Sequence, residues 1–172
     1  TPPPATPPPP HPPALQHSFP TRRSSDLERV AEVGEADTPT LARVAQLINK
    51  TNQFNLTARR RTLAELEALS RNPRHHIVWL RIRDRFGDQG IIAVAILRVD
   101  DDAAVIDTLL MSCRMMNRRV EEALMAELAA RARAAQRSRL IGEFVATPRN
   151  SAVADLYPRL GFEPVAAPGD GI

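Results

Sequence analysis

A basic stretch, RMMNRR at residues 114–119, separates a predicted strand from a predicted long helix. The first N–H groups of a helix have no partner within it, and the helix dipole places positive charge there, so such a turn binds anions. Arg114, Arg118 and Arg119 add guanidinium groups whose geometry matches a phosphate. The stretch therefore predicts a phosphate site, with a solvated basic helix start as the alternative.

Two carboxylates and a cysteine on predicted strands are the next candidates for chemistry. Asp107 falls in the middle of one strand and Glu143 on a neighbouring one. A buried carboxylate costs free energy unless it is paired or solvated, so each is a candidate general base or else lies on the outer face of its strand. Cys113 has no histidine nearby in sequence to activate it, which favours a structural cysteine over a nucleophile.

Polar side chains crowd the segment KTNQFNLT, residues 50–57, directly after the first predicted helix. The amide groups of Asn52, Gln53 and Asn55 both donate and accept hydrogen bonds. The segment is therefore either a substrate contact or a polar loop that ends the helix.

Hydrophobic periodicity predicts the elements that must position these residues. One helix is expected with Thr38 as N-cap and Pro39 at its first position, and a second behind the capping box at 62–65. Further elements follow in the order of strands at 75–83, 91–99 and 103–112, a helix from about 117, a strand at 139–145 and a helix at 151–160. This order predicts an α/β, or α+β three-layer, fold.

Composition narrows the class of protein. Of 172 residues 43% are hydrophobic, and the apolar run at 91–97 is far too short to cross a membrane. The net charge is +3, and the arginines alternate with acids without interleaved aromatics, so we expect no nucleic-acid partner. The first residues contain no continuous apolar stretch of the kind found in signal peptides, so we expect a cytoplasmic protein with no membrane partner. One cysteine and four histidines without ligand spacing predict no metal site. The pattern predicts no particular oligomeric state.

The first 27 residues differ in composition from the rest. They hold most of the 16 prolines, a composition that favours polyproline II and cannot bury a core. HSFPTRRSSDL, residues 17–27, resembles one translated frame of a short-read sequencing adapter, with an arginine- and serine-rich linker as the alternative. We predict that residues 1–27 are disordered and artefactual, that residues 28–172 form one domain, and that the native protein continues upstream.

The motif N-x6-Y-x3-G-F begins at Asn150 and contains Tyr157. Together with the order of elements it resembles the GNAT acyltransferase family. The resemblance implies a mixed central sheet with helices on both faces. It also implies that Tyr157 protonates the departing thiolate of coenzyme A and that Asn150 helps to hold the pantetheine region. Core packing of the tyrosine is the alternative.

The same resemblance implies acetyl-CoA or another acyl-CoA as cofactor. In the GNAT family its pyrophosphate binds to a turn of the form Q/R-x-x-G-x-G/A, at the position of residues 114–119. Asn117 and Arg119 stand here in place of the two glycines. Asparagine adopts left-handed backbone angles more readily than most residues, whereas Arg119 adds a side chain where the phosphate approaches.

A closer resemblance covers residues 41–163. KTNQFNLT, DRFGDQG and IDTLLMSCR are similar to the C-terminal domain of FkbH-like proteins, in which a HAD-type phosphatase domain of subfamily IIIC precedes a GNAT-like one. This implies loading of a glyceryl unit from a phosphoglycerate onto an acyl carrier protein in polyketide biosynthesis. The HAD motif D-x-D-x-[TV] is absent from this sequence, so phosphatase chemistry and its magnesium are not expected of these residues.

These observations predict a GNAT-type acyltransferase domain acting on an acyl thioester held by CoA or by the phosphopantetheine of an acyl carrier protein. The alternative is a non-catalytic module that docks the carrier protein for the HAD domain. The resemblance favours contact of Asn52, Gln53 and Asn55 with the acceptor or the carrier arm, and a polar loop that ends the helix is the alternative. Ten residues follow Phe162, from which we expect the last strands of the fold to be missing.

Overall fold

The computed structural model describes residues 15–18, 30–84, 87–112 and 120–165. Within these ranges six strands form one sheet in the order of the chain, and every neighbouring pair is antiparallel except the last, which is parallel. The strands are β1 (Leu15–Ser18), β2 (Val30–Glu35), β3 (His75–Asp84), β4 (Gly87–Val99), β5 (Ala104–Met111) and β6 (Leu140–Gly142). The helices are α1 (Thr38–Lys50), α2 (Leu63–Ser70), α3 (Val120–Ala134) and α4 (Leu156–Arg159).

Helices cover both faces of the sheet, as predicted. On one face α1 and α2 bury an apolar cluster against β3, β4 and β5, formed by Leu41, Val44, Ile48, Leu66, Ile77, Val94, Ile96 and Leu110. On the other face α3 and α4 cover a larger cluster that includes Leu80, Leu97, Ile106, Leu124, Leu128 and Leu156. The predicted three-layer architecture with a mixed sheet is confirmed.

The start of α1 differs from the prediction by one residue. Asp37, not Thr38, is the N-cap, and its carboxylate accepts a hydrogen bond from the Thr40 backbone N–H at 3.2 Å. The Thr40 hydroxyl in turn accepts from the Asp37 N–H at 2.9 Å, which closes a capping box. A capping box joins residues three positions apart, so Thr40 pairs with Asp37 and makes Asp37 the N-cap. The predicted box between Thr62 and Glu65 at α2 is confirmed.

Two strands were not predicted. β2 alternates buried Ala31 and Val33 with partly exposed neighbours and pairs with β3. Its Gly34 lies so close to the ring of Trp79 that a Cβ there would clash, so the glycine that obscures the strand pattern is required by packing. β1 pairs with the outer edge of β2 within the segment predicted to be disordered. Leu15–Ser18 contains no proline, so all four N–H groups can join a sheet.

The C-terminal elements are shorter than predicted. The expected strand at 139–145 is regular over three residues, and the expected helix at 151–160 is a 3-10 turn, Ser151–Val153, followed by the single turn of α4. Pro158 explains the break, since it has no N–H to bond to Ala154. The predicted helix start near 117 lies outside the described residues, and α3 is described from Val120. Within the described ranges, no helix is long and apolar enough to span a membrane.

Candidate active site

The segment Phe54–Leu56 inserts between β5 and the chain that follows β6. The Leu56 N–H donates to the Leu109 carbonyl at 3.0 Å, and the Met111 N–H donates to the Phe54 carbonyl at 3.0 Å. On the other side, the Val145 N–H donates to the Leu56 carbonyl at 2.8 Å. β5 and β6 pair directly over three residues and then separate around this inserted segment. The KTNQFNLT stretch is therefore partly a strand-like component of the sheet.

Two buried asparagines hold the inserted segment in place. The Asn150 amide donates to the carbonyls of Asn55 at 2.9 Å and Val145 at 3.0 Å, and its oxygen accepts from the Thr147 N–H at 2.8 Å. The Asn55 side-chain oxygen accepts from the Ala58 N–H at 2.9 Å. Both side chains are fully buried, so their geometry gives them a positioning role. Their contacts with pantetheine and substrate remain predictions.

Asp107 lies at a β-bulge in the middle of β5. The register with β4 passes from Ile96 opposite Thr108 to Leu97 opposite Ile106, which leaves Asp107 as the extra residue. A bulge redirects side chains and increases the local twist of the strand, and such bulges occur next to active sites. The sequence placed this carboxylate on a central strand but contained no signal for the bulge.

Three arginines surround Asp107 and Glu143. Arg59 forms ion pairs with both carboxylates, at 2.6 Å to Asp107, and Arg61 pairs with the second oxygen of Asp107. Arg98 lies 3.8 Å from Asp107 and 3.7 Å from Glu143. Pairing offsets the cost of burying the acids. Because the guanidinium groups already occupy the carboxylate oxygens, this geometry favours charge balance, and the general-base role remains a prediction.

Tyr157 packs its ring directly on β6. A Cβ at Gly142 would overlap the tyrosine ring, so the glycine creates the space that the ring fills. The ring of Phe162 lies 5.0 Å away on a tilted plane. Within the described residues, the buried Tyr157 hydroxyl has no hydrogen-bond partner. Burial, together with the nearby charge of Glu143, raises the pKa of the Tyr157 hydroxyl well above its usual value, so the phenol stays protonated at neutral pH.

The unpartnered hydroxyl leaves one hydrogen-bond donor unsatisfied, and its atom is buried from solvent. A buried polar group without a partner costs about 1–3 kcal/mol, and an acceptor atom on a bound molecule offsets that cost. A thioester sulfur or a thiolate is such an acceptor. Four residues were predicted to bind the phosphates of coenzyme A, and all of them lie outside the described residues: Arg114, Asn117, Arg118 and Arg119. Cys113 lies outside them as well.

A small cavity opens beside the inserted segment. Its volume is about 250 Å³, and its walls are Asn52, Ala58, Arg60, Thr147, Pro148 and Arg149. Of the three predicted substrate contacts, Asn52 lines this cavity, Gln53 is exposed, and Asn55 is buried and does not line it. No group of three or more His, Cys, Asp or Glu that could bind a metal occurs among the described residues.

No protein-family profile and no curated protein matches the chain. Its similarity to solved structures is extensive. The ribosomal-protein-S18-alanine N-acetyltransferase of Escherichia coli superposes with a TM-score of 0.59 at 18% identity, over 79% of each chain. A complex of AAC(6')-Iy with a bisubstrate analogue superposes with a TM-score of 0.62 at 13% identity, over 80% of this chain and 93% of the other. The fold is that of the GNAT N-acetyltransferases.

A third GNAT structure extends the same agreement. The ribosomal-protein-alanine N-acetyltransferase of Brucella melitensis has a TM-score of 0.59 at 16% identity, over 83% of this chain and 96% of its own. At such identities the agreement establishes the GNAT fold alone. The features of this chain that bear on its chemistry are the bulge, the inserted segment and the Tyr157 ring packed against β6.

Several residues of the site were not predicted. Arg59 and Arg61 neutralise Asp107, and the signal available for them was the run RRR at 59–61, whose two outer members point to one carboxylate. Gly142 was also not predicted. The signal available for it was a glycine inside a strand, which indicates a close approach of another group. Here that group is the Tyr157 ring.

Proposed function

We propose that this chain is a GNAT-type acyltransferase domain that moves an acyl group from a thioester of CoA or of a carrier-protein phosphopantetheine to an acceptor. The observation that carries the proposal is the buried Tyr157 hydroxyl, which has no partner within the described residues. Its ring packs against β6 of a GNAT fold. AAC(6')-Iy, which shares the fold, has been captured with CoA. The residues described here are compatible with the same cofactor.

The thioester supplies an activated acyl group whose transfer leaves its sulfur negatively charged. Tyr157 keeps its proton, because both burial and Glu143 disfavour the phenolate. Since an ordinary thiol has a pKa of about 8.5, complete proton transfer from this phenol to sulfur is uphill. We therefore assign Tyr157 the donation of a hydrogen bond to the departing sulfur. The acceptor gives up its proton to solvent as the new acyl bond forms, and the thiolate takes its proton from solvent. Arg114 and Arg118 are proposed to bind the cofactor phosphates.

The charged cluster has a supporting role in this scheme. Arg59 connects Asp107 on the bulge with Glu143 directly after β6, and so fixes the separation of the two strands beside Tyr157. The Glu143 N–H donates to the Ile106 carbonyl at 3.2 Å, which extends the pairing by one residue. The proposed consequence is a fixed separation of β5 and β6, which keeps the Tyr157 ring packed against β6 in one position.

The biological context is proposed from the sequence resemblance. Similarity to the FkbH-like proteins supports an acyl carrier protein as partner, a HAD-type phosphatase elsewhere in the protein, a cytoplasmic location and a place in polyketide biosynthesis. A docking module without catalysis is the second candidate. The specific observation in its favour is that the side chains of Asn150, Asp107 and Glu143 are already occupied by internal contacts.

Thiol release distinguishes the two candidates. The chain is incubated with acetyl-CoA, and separately with an acetylated phosphopantetheinyl carrier protein, together with an amine acceptor mixture, and free thiol is measured with a chromogenic disulfide. We expect release that depends on Tyr157 and is unchanged by Arg71→Ala, a surface control. Carrier-protein binding without thiol release from either donor would reject the acyltransferase proposal and favour docking.

A further inference from the structure

The cavity beside the inserted segment has a preformed shape. One wall is the turn Thr147–Arg149, and the other consists of Asn52, Ala58 and Arg60. The buried Asn150 fastens the two walls to each other through the Asn55 carbonyl and the Thr147 N–H. Because these contacts are internal to the protein, the walls need no ligand to hold them together.

The cavity carries positive charge that no acid neutralises within the described residues. Arg60 donates from one nitrogen to the carbonyls of Ile48 and Thr51, and from another to the side-chain oxygen of Asn52. These acceptors are neutral, so the guanidinium keeps its full charge. For Arg149, no hydrogen bond or ion pair is formed with any part of the chain that the structure describes.

The neighbouring arginines show that this arrangement is specific to the cavity. Arg59 and Arg61 do not line it and form ion pairs with Asp107 instead. Arg60, between them in sequence, points to the cavity instead. The run RRR therefore divides its charge: two members balance a buried acid, and the third hydrogen-bonds only neutral acceptors at the wall it shares with Asn52.

We propose that this cavity binds the carboxylate or phosphate group of a small-molecule substrate. Guanidinium groups match the geometry of both anions, while the Asn52 amide and the Thr147 hydroxyl supply neutral hydrogen bonds. A volume of about 250 Å³ lies below the usual range for drug-sized ligands, which indicates a compact molecule with a short carbon chain. That the bound molecule takes part in acyl transfer rests on the function proposed above; that an anion binds here does not.

Binding without CoA tests the site by itself. Isothermal titration of the full chain uses three probes: inorganic phosphate, glycerol phosphate and glycerate. Arg149→Ala is expected to weaken binding of the anion that occupies the site by about 10-fold or more, the usual effect of removing a hydrogen bond to a charged group. Arg149→Lys keeps the charge but not the fork, and is expected to bind with intermediate affinity. Arg71→Ala, an exposed arginine on α2's C-terminal side, should bind as the native chain does.

The probes separate the two chemical sources of the anion. Binding of the phosphate compounds assigns a phosphorylated substrate, and binding of glycerate alone assigns a carboxylate. Failure of all three probes to bind at millimolar concentration overturns the proposal, as does an equal loss in Arg149→Ala and Arg71→Ala. Anion binding that persists in a chain without thiol-releasing activity would reject the acyltransferase function and leave this site established.

Discussion

At the scale of single residues, polar groups of the same kind have different uses. Asn150 directs its amide donors and acceptor to the backbone, whereas the equally buried Tyr157 hydroxyl contacts no acceptor within the described residues. A satisfied buried group contributes stability, and an unsatisfied one reduces it. The two residues should therefore respond to substitution in opposite ways.

Tyr157→Phe is expected to separate activity from stability. Removal of an unpartnered buried hydroxyl should leave the free energy of unfolding unchanged or raise it by up to about 1–3 kcal/mol. Thiol release should fall about 10- to 100-fold, the usual effect of losing one hydrogen bond to a charged atom. Urea unfolding and the thiol assay measure both quantities on the same preparation. A loss of stability together with activity would show that the hydroxyl is structural.

Asn150→Ala is expected to destabilise the fold by about 3 kcal/mol, because it leaves the buried Asn55 carbonyl, the partly buried Val145 carbonyl and one N–H without their partner. Asn72→Ala is the matched control, since its exposed side chain accepts one hydrogen bond from the Arg74 N–H. Urea unfolding of both variants tests the difference. Equal, small effects would mean that the inserted segment does not depend on this amide.

At the scale of elements, local signals in the sequence predicted what local forces decide. The capping box at Thr62 and the apolar face of α1 are both visible in short windows. The bulge at Asp107 and the insertion of Phe54–Leu56 are not, since both depend on strands distant in sequence. The candidate site was therefore predicted by residue type, while its charge partners and packing became apparent only from the three-dimensional arrangement.

Gly142→Ala tests how β6 positions the tyrosine. The added methyl group overlaps the Tyr157 ring, so we expect a loss of about 1–3 kcal/mol in stability, typical of overpacking, and a loss of thiol release. In the Tyr157→Ala variant the ring that the methyl group would overlap is absent, so Gly142→Ala should no longer lower the free energy of unfolding. A double-mutant cycle by urea unfolding measures this coupling. Additive effects would contradict direct contact as the reason for the glycine.

At the scale of the whole molecule, Glu35 joins three elements. From the end of β2, its carboxylate contacts His76 of β3 at 3.0 Å and Arg131 of α3 at 2.7 Å. Burial alone would raise the pKa of Glu35, but hydrogen bonds from His76 and Arg131 outweigh it and lower the pKa to about 2. The side chain is thus tied more strongly to its charged form in the folded state than in the unfolded chain.

The lowered pKa of Glu35 predicts the direction of acid sensitivity. Its stabilising contribution is fully present above the ordinary pKa of 4.5 and is lost as the pH falls from there to about 2. Glu35→Gln should therefore be less stable than the native chain at neutral pH, with the difference shrinking towards pH 2. Urea unfolding over a pH series checks this. Glu67 forms an exposed ion pair of 3.8 Å with Arg71, so the stability of Glu67→Gln should change with pH as that of the native chain does.

The inserted segment also has a consequence for the order in which the chain acquires its structure. One edge of Phe54–Leu56 pairs with β5, and the other edge pairs with Val145. The Asn150 amide, which bonds to the Asn55 carbonyl, lies 95 residues further along the chain than Asn55. Contacts so distant in sequence form slowly, because the intervening loop must close first. During synthesis on the ribosome the apolar Phe54 and Leu56 therefore emerge long before their last partners. The inserted segment is fully bonded only after the turn at 147–150 has been synthesised and Asn150 has formed its hydrogen bonds.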